Sequence, residues 1–213
     1  MSDLEQTTED IEEVNPWTDI WVRPRQTIDS IIENYANLLT TIILIYLGGV
    51  YFGIGQAELK DFGDRKDVSD IITSSIFISG LGGLLTYNMW IWAIDFCASW
   101  FGGKGNFKKT QIAFAWAMLP MAVGLILTLI GYVLFEEELF TSETPNINGS
   151  DFLTISLWTY GILEVVLGVW HIVLLVVTVS QVQQLSIIKS IASIVTGFLI
   201  LILPLIGLVF LMR

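Results

Sequence analysis

The chain has 213 residues, of which 54% are hydrophobic and only 15% charged, and its mean hydropathy is +0.69. Such a composition excludes a water-soluble globular domain, whose surface needs more charge. The formal net charge of −11, with no clustered basic face, excludes a nucleic-acid binder. The lone cysteine, Cys97, excludes an internal disulfide and a thiolate zinc site.

Residues 1–15 carry Asp3, Glu5, Glu9, Asp10, Glu12 and Glu13 and no Lys or Arg. They predict an acidic, disordered tail with no cleaved signal peptide, so that the first span itself directs the chain to the membrane. Residues 16–36 predict an interfacial amphipathic segment. From Pro24, which suits a first helical turn, Ile28, Ile31, Ile32 and Tyr35 recur at helical spacing, with Asp29, Ser30, Glu33 and Asn34 opposite. Trp17 and Trp21 precede this stretch, and Arg23 and Arg25 suit anionic headgroups. The same residues also fit a simple extension of the first span.

Residues 37–213 then predict a five-helix transmembrane domain, with spans at about 37–55, 74–98, 111–135, 153–179 and 190–211. Each is about as long as one helical crossing of the hydrocarbon core requires. Membrane β-strands would alternate apolar and polar residues, which these stretches do not. The fold class is therefore an all-α polytopic membrane protein. The connectors are a mixed-charge loop, the basic turn FGGKGNFKK, the acidic loop EEELFTSETPNINGSD and the polar turn SQVQQLSIIK. The loop at 136–151 holds five acids and no base, and Lys104, Lys108 and Lys109 belong to the opposite side, so the N-terminus is expected in the cytoplasm. Those lysines, with Trp17, Trp21, Arg23 and Arg25, are the expected lipid-headgroup contacts.

Three ionisable side chains fall inside spans, Asp95 in the second and Glu164 and His171 in the fourth, and Asn88 shares a face with Asp95. A charge at the bilayer centre costs about 2.5–3.5 kcal/mol on insertion scales, so each needs a partner or a task. In one reading Asp95, Glu164, His171 and Asn88 form a proton or cation site. In the other they are hydrogen-bonded supports of the bundle, with Glu164 neutral and Asp95 near His171. Gly161, Glu164, Gly168 and His171 follow one helical seam, which is expected to face protein. Small residues mark further seams: Gly49 and Gly53; Gly124, Thr128 and Gly131; Ser190, Ser193, Gly197 and Gly207. Such seams serve packing within the chain or self-association with a second copy. Pro120 and Pro204 should kink their helices. The turn at Gly102–Gly105 follows no strand and lacks the Lys-Ser or Lys-Thr pair of a phosphate loop. No nucleophile–base arrangement, metal-ligand set or cofactor motif is present, so an enzyme is not expected.

Two stretches, PWTDIWVRPRQTIDSII before the first span and FGGKGNFKKTQIAFAWAMLP between the second and third, occur here with five spans and an acidic N-terminal tail. Together they resemble the Yip family, the Ypt- and Rab-interacting membrane proteins, over roughly residues 16–213. The resemblance rests on Trp21, Pro24 and Arg25, on the turn Gly102, Gly103, Lys104 and Gly105, and on Pro120. The D-L-Y-G-P element of eukaryotic members is missing, which favours the prokaryotic branch and its plasma membrane. The resemblance implies a non-enzymatic membrane-organising factor, or an accessory subunit of a membrane complex such as an ABC-type exporter. Its partners would be the lipid bilayer and other membrane proteins. A small transporter or channel using Asp95, Glu164 and His171 is the alternative.

Overall fold

The computed structural model describes residues 14–211; most of the expected acidic tail, and Arg213, lie outside them. The described chain is helical throughout, with no strand among the described residues. Five helical segments are long and apolar enough to cross a membrane: Leu38–Leu59, Val68–Trp100, Phe107–Phe140, Asp151–Val182 and Ile187–Pro204. Successive segments run in opposite directions. One side of the bundle, the near side, therefore carries residues 14–37, 101–106 and 183–186, and the far side carries 60–67 and 136–150.

Before the first span lie α1 (Pro16–Asp19) and α2 (Pro24–Ser30), the latter continued by a π-helical turn over Ile31–Tyr35. The Asn15 side chain accepts from Trp17 N at the start of α1, and proline opens both helices, where a missing N–H costs nothing. Part of the apolar face packs against protein. Ile20, Ile28 and Ile31 are fully buried in one core with Val179 and Val182, and Gln181 donates to Asp29 at 2.7 Å. Tyr35 and Glu33 remain exposed.

The first span, α3 (Leu38–Leu59), runs four residues past the expected end. The extension is held because Ala57 is buried and the Glu58 carboxylate has a partner on another helix. The second begins six residues early as α4 (Val68–Ser74), widens into a π-helical stretch over Ser75–Gly80 and continues as α5 (Leu81–Trp100). Within the widened turn the Ile76 carbonyl accepts from the Tyr46 hydroxyl at 2.9 Å. The third span is interrupted. Its halves are α6 (Phe107–Ala117) and α7 (Leu119–Phe135), joined at Met118, whose N–H reaches back only three residues to Ala115 O. Pro120 next to the break has no N–H for the α-helical bond to Trp116 O. After the short α8 (Pro145–Asn148), the fourth and fifth spans are α9 (Asp151–Val182) and α10 (Ile187–Leu211), with Pro204 inside α10.

The third span sits centrally, against α3, α5 and α9, while α10 closes the bundle against α5 and α9. Small residues set the closest approaches. A Cβ added at Gly49 would stand 2.6 Å from Ser79 O and 3.1 Å from Gly83 Cα, so the α3 and α5 backbones touch. At Gly197 it would meet the Ala93–Ile94 backbone at 3.0–3.2 Å. These seams serve packing inside the chain. Gly207 has nothing against it. Leu85, Ile126, Val133, Ile155 and Val169 point outward, as a lipid-facing surface requires.

Candidate functional site

Polar side chains inside the bundle form two separate groups. The first is near the near-side ends of α5, α6 and α9, where Gln183, just past α9, is 99% buried. Its Nε2 donates to Asp95 Oδ1 at 2.7 Å and to Thr110 Oγ1 at 2.8 Å, and Thr110 also donates to Asp95 at 2.8 Å. Its Oε1 accepts from Gly105 N at 3.0 Å, and its backbone carbonyl accepts from Lys104 N at 3.0 Å. One side chain thus clasps three helices and the GGKG turn. The glycines of that turn follow from this contact. A Cβ at Gly105 would lie 2.7–2.8 Å from the Gln183 amide group, and one at Gly103 would lie 2.6 Å from its Oε1. Gly102 has φ +89°, which favours glycine for a different reason. Asn88, two turns further into the bundle, accepts from Gln111 Nε2 at 2.6 Å and donates to Leu84 O.

The second group lines a groove of about 570 Å³ between α3 and α9, floored by α6 and α7. Here the two helices exchange partners. Tyr51 on α3 donates its hydroxyl hydrogen to Glu164 on α9, and Tyr160 on α9 donates to Glu58 on α3, at 3.0 and 3.1 Å to the two carboxylate oxygens. Both tyrosine rings lie in slots that α7 makes with glycine. A Cβ at Gly124 would stand 2.5 Å from the Tyr51 ring, and one at Gly131 would stand 2.9 Å from the Tyr160 ring. Gly124 and Gly131 are seven apart, two turns on one face, which matches the two-turn spacing of Tyr51 and Glu58 on α3. Glu164 Oε1 is buried and has no hydrogen-bond partner. Towards the near side, His171 Nδ1 is 2.8 Å from the Ala117 carbonyl at the break in the third span. A carbonyl only accepts, so Nδ1 carries the hydrogen. Aromatic and Met side chains (Phe52, Tyr87, Trp90, Phe114, Met118, Met121) supply the apolar walls.

Of the four residues singled out inside the spans, Glu164 and His171 share the groove, whereas Asp95 and Asn88 belong elsewhere. Asp95 is occupied by Thr110 and Gln183, not by His171. The Gly161–Glu164–Gly168–His171 seam borders open space: Cβ atoms at Gly161 and Gly168 would meet nothing within 4 Å. Glu58, Tyr51, Tyr160 and Gln183 are additional members. Glu58 escapes a sequence reading that ends the first span at residue 55. The spacing of Tyr51 to Glu58, and of Tyr160 to Glu164, was the available signal.

On the near-side rim the Trp17 ring tilts over Trp116 at 4.9 Å between centroids, and Trp21 Nε1 donates to Trp17 O at 3.0 Å. Trp17, Arg23, Arg25, Lys104, Lys108 and Lys109 are exposed there, and Trp21 is half-buried. The far side is rich in acids, and two of them, Glu138 and Asp64, have local partners. Glu138 accepts from Asn146 N and Ile147 N, both at 2.9 Å. Asp64 accepts from Ser142 N at 3.0 Å and Ser142 Oγ at 2.7 Å, which holds its carboxyl below the usual aspartate range. Among the described residues no group of three metal-ligating side chains occurs.

Five membrane-crossing helices, apolar outward and cross-linked inward by polar pairs, define an integral membrane helix bundle. The chain belongs to the Yip1 domain family, whose pattern it matches over residues 18–209. No curated protein and no solved structure matches it.

Proposed function

We propose that the protein is a non-enzymatic membrane-organising factor or an accessory subunit of a membrane complex such as an ABC-type exporter. In this reading it lies in a prokaryotic plasma membrane with the near side cytoplasmic, and it works through its near-side rim. The observation that carries the reading is the placement of Lys108 and Lys109. Both lie in the first turn of α6, where the helix dipole disfavours cations by about 0.3–1 kcal/mol each, and both are exposed. Cations held against the dipole are explained by an external anionic surface, either lipid headgroups or an acidic partner. The packing of α2 on α9, and of Trp17 on Trp116, keeps Arg25 and Trp17 on the same rim.

The test exploits the sign of the dipole term. Lys108→Glu with Lys109→Glu should not weaken α6, yet it should abolish co-purification of partner subunits from native membranes in mild detergent. Unchanged co-purification by the variant refutes the rim as the working surface. A second reading, a small transporter, is favoured by the groove with Glu164 and His171. It requires a proton- or cation-dependent flux in reconstituted vesicles that Glu164→Gln abolishes.

A further inference from the structure

The α3–α9 groove is unusual in what it leaves uncommitted. Each tyrosine hydroxyl has one hydrogen, and both are given to carboxylates. After that, Glu164 Oε1 is still without a partner although buried. In the neutral imidazole His171 has spent its only N–H on Ala117 O, so its Nε2 is a bare acceptor. The lining contains no Lys or Arg; Gln56 and Trp90 bring N–H groups to the wall, but no positive charge. The groove is therefore apolar in its walls and accepting in its polar groups, and it is rich in ring faces that attract cations. Its volume, about 570 Å³, suits a small-molecule guest.

Depth narrows the class. Glu164 is thirteen residues from one end of α9 and eighteen from the other, about 20 and 27 Å along the helix, so it lies near mid-membrane. A guest whose charge reaches that depth must bring its own apolar body. It must also lack a phosphate beside its nitrogen, because a phosphate would be repelled by Glu58 and Glu164.

We infer that the groove binds a single-chain amphipathic amine, its ammonium group held between the Glu58 and Glu164 carboxyl groups that line it. The hydrocarbon body lies against Phe52, Phe114, Met118 and Met121. The site is independent of whether anything is transported and of what the near-side rim contacts.

The full-length protein in phosphatidylcholine nanodiscs tests this with dodecylamine, dodecanol and dodecanoate as probes. Dodecylamine should raise the melting temperature saturably, and the other two should not. Glu58→Gln with Glu164→Gln should weaken the amine at least tenfold, while Glu33→Gln on the exposed near side should leave it unchanged. Gly161→Phe covers the case in which the double variant fails to fold. It keeps both acids and enters space where an added Cβ meets nothing, so it should block the amine while the unliganded protein melts as before. An equal shift with dodecanol, an undiminished amine effect in Gly161→Phe, or stabilisation only by added phosphatidylethanolamine overturns the inference.

Discussion

Gln183→Ala tests how the GGKG turn is held. The substitution removes the side-chain bonds to Asp95 and Thr110 and the bond from Gly105 N, each worth about 0.5–1.5 kcal/mol. The expected loss is about 2–4 kcal/mol, which for a chain of this length lowers the melting temperature by about 5–15 °C. The sharper readout is a double-mutant cycle. Gly105→Ala alone places a Cβ 2.7–2.8 Å from the held Gln183 amide and should cost about 1–3 kcal/mol. In the Gln183→Ala background that obstacle is gone, and the cost of Gly105→Ala should fall below about 0.5 kcal/mol. Gly103→Ala provides the contrast. Its Cβ also stands 2.9 Å from the Ala98 carbonyl oxygen, which is backbone, so Gln183→Ala should not rescue it. The assay is thermal melting of purified protein in one detergent, with all five variants measured together with the parent. Additive losses for Gly105→Ala and Gln183→Ala refute the argument that Gln183 is what excludes a side chain at 105.

Three further predictions follow from other contacts. Glu164→Gln preserves the acceptor that Tyr51 uses and should move the melting temperature by less than about 2 °C in the absence of amine, whereas a large loss would show that the second carboxylate oxygen is structurally required. Gly49→Leu should separate α3 from α5 and destabilise by more than about 3 kcal/mol, well beyond Gly55→Leu, whose Cβ has open space; equal effects in melting experiments would exclude backbone contact at Gly49. Because Asp64 titrates below its unfolded value of about 3.9, the clasp to Ser142 should be intact above that pH and open only as pH falls below it. The Ser142 amide chemical shift reports this, and a midpoint above pH 4 would contradict the geometry.

The spans were legible because continuous apolar runs of this length have one structural solution in lipid. Their ends were not, since a helix continues wherever a polar residue finds a partner, and Glu58 finds Tyr160 from 102 residues away. The same holds for Gln183, which in sequence is one more polar residue in a turn and in the fold is bonded to Asp95, 88 residues distant. Asp95 and His171 were legible as residues needing partners, but not as residues needing different ones. The helical spacing of Ile28 and Ile31 identified an apolar face, whereas what covers it is decided by the docking of α2 on α9. Gly124 and Gly131 read as a helix-packing seam, and they are one; that the seam receives two tyrosine rings depends on which helix arrives there.

The backbone contact between Gly49 and Gly83 has a mechanical consequence. Helices joined main chain to main chain have no side-chain cushion to compress, so α3 and α5 must move as one plank under lateral pressure. On its other flank, α3 is joined to α9 through side chains, Tyr51 to Glu164 and Glu58 to Tyr160, rather than through main chain. A bilayer that thickens, thins or curves therefore deforms this bundle unevenly, with the strain collecting along the tyrosine-bridged flank.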